Sequence, residues 1–169
     1  MAMYSAEIEY FAERAREFVT WCQTSHSGKA VALIQQEVLQ MLSLIYAAGM
    51  CLPNIESRSA AEAVPAIVDE HLQGVLKNVQ ALPFQYYWGM LAPSCAQGND
   101  APVCGDLFDD FRDIYVDLIS GLWYYERGLV EAAAFEWRFR FGAHLGRHVI
   151  SAMHALHLHE PKVNPDDAD

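Results

Sequence analysis

The stretch from Glu131 to His157, EAAAFEWRFRFGAHLGRHVISAMHALH, limits the folds open to this chain more than any other segment. It keeps a helical period for its whole length with no proline. It also holds four of the seven histidines and three of the arginines. At 100° per residue, Glu136, Arg140, His144, Arg147, Ser151 and His154 fall in one narrow polar arc. Trp137, Phe141, Leu145, Val149, Ala152 and Leu156 form a broad apolar arc, which Phe139, Ile150 and Met153 widen. An apolar perimeter that wide predicts a helix covered on more than one side, the central element of a bundle.

Arg138 breaks this pattern, because the wheel puts it inside the apolar arc. A guanidinium keeps its charge, so a buried one needs a carboxylate or carbonyls around it. The ordinary expectation is a structural ion pair, or a stem that packs while the head reaches water. The sharper one is an anion-binding group in a cavity.

The rest of the chain supplies partners for that helix. Ser5 is a fitting cap for a first helix that runs to about Thr24, with Ile8, Phe11, Ala15, Phe18 and Cys22 inward. Ser25 to Gly28 makes a turn. A second helix covers about Lys29 to Ala48, with Gly49 expected as its left-handed terminus and Pro53 beyond it. Ser59 to Glu62 has the form of a capping box, and a third helix covers about Pro65 to Gln80. A fourth begins at Asp106, its N-cap, and buries Leu107, Phe111, Ile114, Tyr115, Leu118 and Leu122. Arg127-Gly128 ends it in a short turn that implies an antiparallel hairpin with the last helix.

Two polar features of these partners bear on function. Asp106, Asp110, Asp113 and Asp117 share one face of the fourth helix, opposite its apolar side, and are expected to face water. The connection from Ala81 to Gly105 has no helical period. Its first half is dense in aromatics, and Tyr86, Tyr87 and Trp88 are expected to cap one end of the bundle or to wall a pocket or partner groove. The fold class is therefore all-α: an antiparallel bundle of five main helices, with a long aromatic-rich loop between the third and fourth that holds at most a short extra turn. Residues 1–160 form its single domain, and residues 161–169 an acidic disordered tail.

Composition narrows the functions. A chain of 169 residues with 53% hydrophobic and 20% charged residues suits one globular domain. A net charge of −11 argues against nucleic acid or anionic membrane as partner. Cys22, Cys51, Cys95 and Cys104 lack metal-finger spacing. Cys95 and Cys104 are near enough in sequence to pair, but nothing else suggests secretion. Reduced thiols and a cytoplasmic home are expected. The N-terminus has no signal-peptide core, and Gln35, Gln36, Glu37 and Gln40 interrupt the most apolar region, so no membrane span is expected.

His144 and His148 stand one helical turn apart, the spacing at which two imidazoles can share a metal. Leu145 occupies the place where a zinc protease has glutamate, and neither histidine has the preceding carboxylate of di-iron bundles. A third ligand would have to come from another helix, and spacing alone names none. No metal ligand and no cofactor are therefore assigned. His154, His157 and His159 suit the helix end, where the macrodipole favours them.

The segments MLSLIYAAGMCLP, YYWGMLAP, GDLFDDFRDIYVDLISGL and EWRFRFGAHLGRHVISAMHALH resemble domain-of-unknown-function family 5063 of bacterial proteins. The resemblance implies a single-domain helical bundle and no established activity. It directs attention to Glu136, Trp137, Arg138, His144, Arg147 and His148. Two function classes are carried forward. The preferred one is a non-enzymatic binding or interaction module, contacting an unknown protein partner through Tyr86, Tyr87, Trp88 and the basic groups, or assembling as a homo-oligomer. The other is an enzyme or small-anion site built from Arg138, His144 and His148 with Asp113 or Asp117, with or without a metal.

Overall fold

A computed structural model of the chain describes residues 5–56, 64–89 and 102–159. The helices are α1 (Ser5–Gln23), α2 (Val31–Cys51), α3 (Asp69–Val79), α4 (Leu107–Tyr125), α5 (Val130–Arg140) and α6 (Gly146–Leu158). A π-helical turn, Phe141–Leu145, joins α5 to α6, so those last segments run as one rod and the bundle has five main helices. The expected all-α class holds.

Helix α4 is the hub. It packs against α1, α3, α5 and α6. Leu107, Phe111, Ile114, Tyr115 and Leu118 are fully buried on its apolar side, facing Phe11, Phe18 and Val75 of the core. Asp106 caps it as expected, accepting from the Phe108 amide at 2.8 Å. Gly128 takes a φ of +76° in the turn after it, a conformation that favours glycine.

The α4–α5 register is fixed by one lock. The Trp137 indole is wholly buried and donates to the Leu118 carbonyl at 3.1 Å. Its ring lies where a side chain at Gly121 would stand, since a Cβ there would come within 2.1 Å of the indole nitrogen. Phe11 closes over the other side with ring centroids 5.0 Å apart.

Several expectations change. Glycine 49 does not end α2 in a left-handed turn; it lies inside the helix, where its missing side chain admits the Phe141 ring. Among the described residues, the connection after α3 holds two strands, β1 (Tyr86–Gly89) and β2 (Val103–Asp106), paired antiparallel with Tyr87 opposite Gly105. Its period-2 alternation is too short to stand out in sequence. Helix α2 is long and apolar enough to cross a membrane despite its glutamines. Here Ile34, Val38, Leu42 and Ile45 pack into the bundle, and Gln35 donates to the Leu156 and His159 carbonyls at the end of α6. Helix α3 starts at Asp69, later than expected. The Ser59–Glu62 box, Cys95 and the acidic tail lie outside the described residues.

The largest correction concerns the last rod, which is not covered all round. Phe139 and Ile150 are exposed, and Arg138 is half-buried with no ion pair or hydrogen bond among the described residues. The π turn is the cause. It uses more residues per turn than an α-helix, so every position after it is set back from the regular wheel. The buried face then runs through Ala133, Trp137, Leu145, Val149 and Leu156, and Arg138 falls at its edge.

Packing of this kind makes Gly121→Ala costly, by about 1–3 kcal/mol or more, because the indole has no room to retreat. Gly142 faces open space, so Gly142→Ala is expected to be neutral or to stabilise by about 0.5–1 kcal/mol. Urea unfolding of the two variants checks this, and equal midpoints would contradict the lock.

Candidate metal centre

The aspartate face of α4 does not look into water. Asp117 is 1% exposed and Asp110 6%, because the α5–α6 rod lies directly over them. That corrects the solvated-face expectation for the set. A helix surrounded by neighbours buries its polar side as well as its apolar one, and each buried carboxylate then needs partners.

Those partners are the polar arc of the rod. A four-residue step on an α-helix overshoots a full turn by about 40°, so Glu136, Arg140, His144 and His148 would drift off one line. The π turn at Phe141–Leu145 takes the drift back. Gly146 suits that turn, since a Cβ there would come within 2.8 Å of the Phe141 carbonyl oxygen. Insertions of this type recur at functional sites.

Each imidazole is held at Nδ1 by its own carboxylate. His144 Nδ1 lies 2.8 Å from Asp117 Oδ2, and His148 Nδ1 lies 2.8 Å from Asp110 Oδ1. Each carboxylate is fixed in turn. Asp117 accepts from Arg140 Nη1 at 2.7 Å, and Arg140 Nε also donates to Glu136. Asp110 accepts from the Tyr87 hydroxyl at 2.5 Å. The strand pair therefore has a purpose beyond capping: it delivers Tyr87 to the site. Gly105, opposite on β2, leaves the space that the Tyr87 ring fills. Tyr86 and Trp88 point the other way and are 63% and 73% exposed.

A carboxylate only accepts, so both Nδ1 atoms donate, and in the neutral imidazoles both Nε2 atoms then carry a lone pair. These two Nε2 atoms stand 3.2 Å apart. Asp113 completes the group: its Oδ2 is 3.7 Å from His144 Nε2 and 3.4 Å from His148 Nε2. The other oxygen, Oδ1, is taken by Arg112 through Nε at 3.1 Å and Nη2 at 3.0 Å. A point about 2.0 Å from all three inward atoms lies inside that triangle, the length of a zinc–nitrogen or zinc–oxygen bond. Asp113, His144 and His148 could therefore hold a metal ion, Asp113 being the third candidate that spacing alone did not locate.

Burial, then hydrogen bonding to Asp110, raises the Tyr87 phenol above its ordinary value. Burial lowers the Arg140 guanidinium, but bonds to Glu136 and Asp117 outweigh it and the net shift is upward. Of the sequence candidates, Tyr87, Asp113, Asp117, Glu136, His144 and His148 converge. Arg138, Tyr86 and Trp88 stand apart, and Arg147 is exposed beside His148. Asp110, Arg112 and Arg140 join the site without having been singled out. Asp110 stood out only as part of an acidic face, and Arg112 only as a neighbour of Asp113.

The fold and site together define a class: a helical bundle with a buried aspartate–histidine ladder between α4 and the last rod. The chain belongs to the family described as Domain of unknown function (DUF5063), which matches residues 2–161. Among solved structures it is similar to the crystal structure of protein BF1032 from Bacteroides fragilis. That likeness has a TM-score of 0.71 and 19% identity, covering 97% of this chain and 99% of that one. It establishes the fold alone. No curated protein matches.

The Tyr87 phenol makes a pH prediction. Its folded value is raised, so its contribution is complete below the unfolded value near pH ~10 and is lost as pH climbs above that. Tyr87→Phe should fall less steeply in stability than wild type between about pH 9.5 and 11. Parallel base limbs in chemical denaturation would contradict the Tyr87–Asp110 bond.

Proposed function

We propose that this protein binds one divalent transition metal, with zinc the best fit, through Asp113, His144 and His148, and that the ion serves a metal-dependent enzyme site. The observation that carries this is the pair of Nε2 atoms 3.2 Å apart, with both Nδ1 atoms already held by carboxylates. Neutral imidazoles held in this way face each other with two acceptors, and Asp113 adds a third, an arrangement that suits a cation at their centre.

Charge supports the same reading. Five carboxylates (Asp109, Asp110, Asp113, Asp117 and Glu136) meet two guanidiniums (Arg112 and Arg140), five minus two leaving three formal negative charges in excess. Imidazoles backed by carboxylates are the usual outer shell of metal-bound histidines. Ligand atoms around tetrahedral zinc sit about 3.3 Å apart, and around octahedral magnesium about 2.9 Å. The separations of 3.2, 3.4 and 3.7 Å favour the former. Nitrogen donors do so as well.

Three protein ligands leave a coordination place open, the arrangement of catalytic rather than structural zinc. A metal so held supplies an acidified water, which makes metal-assisted hydrolysis the reaction class that fits best. The competing reading, an interaction module, rests on the exposure of Tyr86 and Trp88. Single exposed aromatics are common on protein surfaces, so it carries less weight.

Elemental analysis of protein dialysed against zinc should give about one ion per chain, the stoichiometry of a single mononuclear site. Asp113→Asn should weaken binding, and His144→Ala with His148→Ala should abolish it while the helical circular dichroism is kept. Wild-type protein without metal, or a double variant that retains it, would overturn the proposal.

A further inference from the structure

The metal reading leaves open what binds beside the ion, and one residue bears on that. Each guanidinium in contact with the site is already engaged, Arg112 by Asp109 and Asp113 and Arg140 by Glu136 and Asp117. Arg147 is different. It is exposed, three residues beyond His144 and adjacent to His148, and no ion pair or hydrogen bond engages it among the described residues. Arg147 directly precedes His148 and is the first arginine after the π turn that holds His144, so its long side chain starts beside the histidine pair.

The accessible edge of the site is at His144. His144 is the most accessible of the three candidate ligands, its side chain 40% exposed against 22% for Asp113 and 16% for His148. The residues before His144 on the rod are Gly142 and Ala143, both exposed and too small to cover it, and a side chain at Gly142 would meet nothing within 4 Å. Among the described residues this stretch of the rod is open, and Arg147 is an unengaged cation beside it.

We infer that Arg147 is the ligand-recognition residue of this site, receiving an oxyanion group (phosphate or carboxylate) whose second oxygen takes the open place on the metal. This rests on the metal reading of Asp113, His144 and His148. A guanidinium presents a planar fork that matches two-oxygen anions. The charge count agrees: a dication reduces the excess of three negative charges to one, and Arg147 brings it to zero. An anion then approaches a neutral site on a chain whose overall charge of −11 would otherwise repel it. Arg138, once the stronger candidate for an anion, lies on a different side of the rod, at the edge of its buried face.

The test uses the full chain loaded with cobalt(II) in place of zinc, titrated with inorganic phosphate and, separately, with acetate. Either anion should change the visible spectrum of the cobalt, and whichever binds more tightly assigns the group. Arg147→Gln should keep one metal per chain yet weaken that binding by about tenfold or more, the scale of one charge-assisted contact. Arg138→Gln should match wild type. Arg147→Gln binding within about twofold of wild type, or no spectral response to either anion, would overturn the inference while leaving the metal site standing. Failure of the wild-type chain to take up cobalt would instead remove the metal reading, and this inference with it.

Discussion

Asp117 is the constraint from which the site follows. A carboxylate 1% exposed in the middle of a bundle is costly to bury without partners. Here both oxygens are engaged, one by Arg140 and one by His144. Removing either partner strands a charge, so the pair of interactions holds α4 and the last rod in one register. With that register set, Asp113 and Asp110 fall opposite His144 and His148 with no further adjustment. The Trp137 slot at Gly121, one turn along α4, enforces the same alignment from the apolar side. Polar and apolar contacts thus agree on a single arrangement, the mark of a sequence whose local and global preferences coincide.

The π turn links packing to chemistry. Phe141 reaches into the gap over Gly49, and Gly146 accepts the crowded carbonyl behind it. The extra residue turns His148 back under His144, so that their rings meet edge to face with centroids 4.5 Å apart. A regular helix would have left His148 toward the apolar side of the rod. The same shift moves Arg138 out of the buried face. One local irregularity therefore assembles the histidine pair and removes the arginine from the core.

Much of this was legible in the residues, and the misses have physical causes. Helical periodicity and the Asp106 and Gly128 signals located α4 and the hairpin, because caps and turns are local. The i, i+4 spacing of His144 and His148 was visible too. What the wheel could not show was the π turn, since it assumes a constant 3.6 residues per turn. Nor could it show that α4 has neighbours on both faces. An aspartate stripe opposite an apolar stripe has the same pattern whether water or another helix covers it. The Tyr87–Asp110 contact depends on pairing between strands distant in sequence, which short alternation does not reveal. The three candidate ligands come from α4 and the last rod, and only tertiary packing brings their ligand atoms within 4.8 Å of one another.

The central claim is that Asp113, His144 and His148 converge on a cation, and X-ray absorption at the zinc edge tests it most directly. Zinc-loaded protein should show two imidazole nitrogens and two oxygens at about 2.0–2.1 Å, in fourfold coordination with no sulfur. A first shell containing sulfur, or one without imidazole scattering, would place the metal elsewhere and leave the two histidines as a hydrogen-bonded pair.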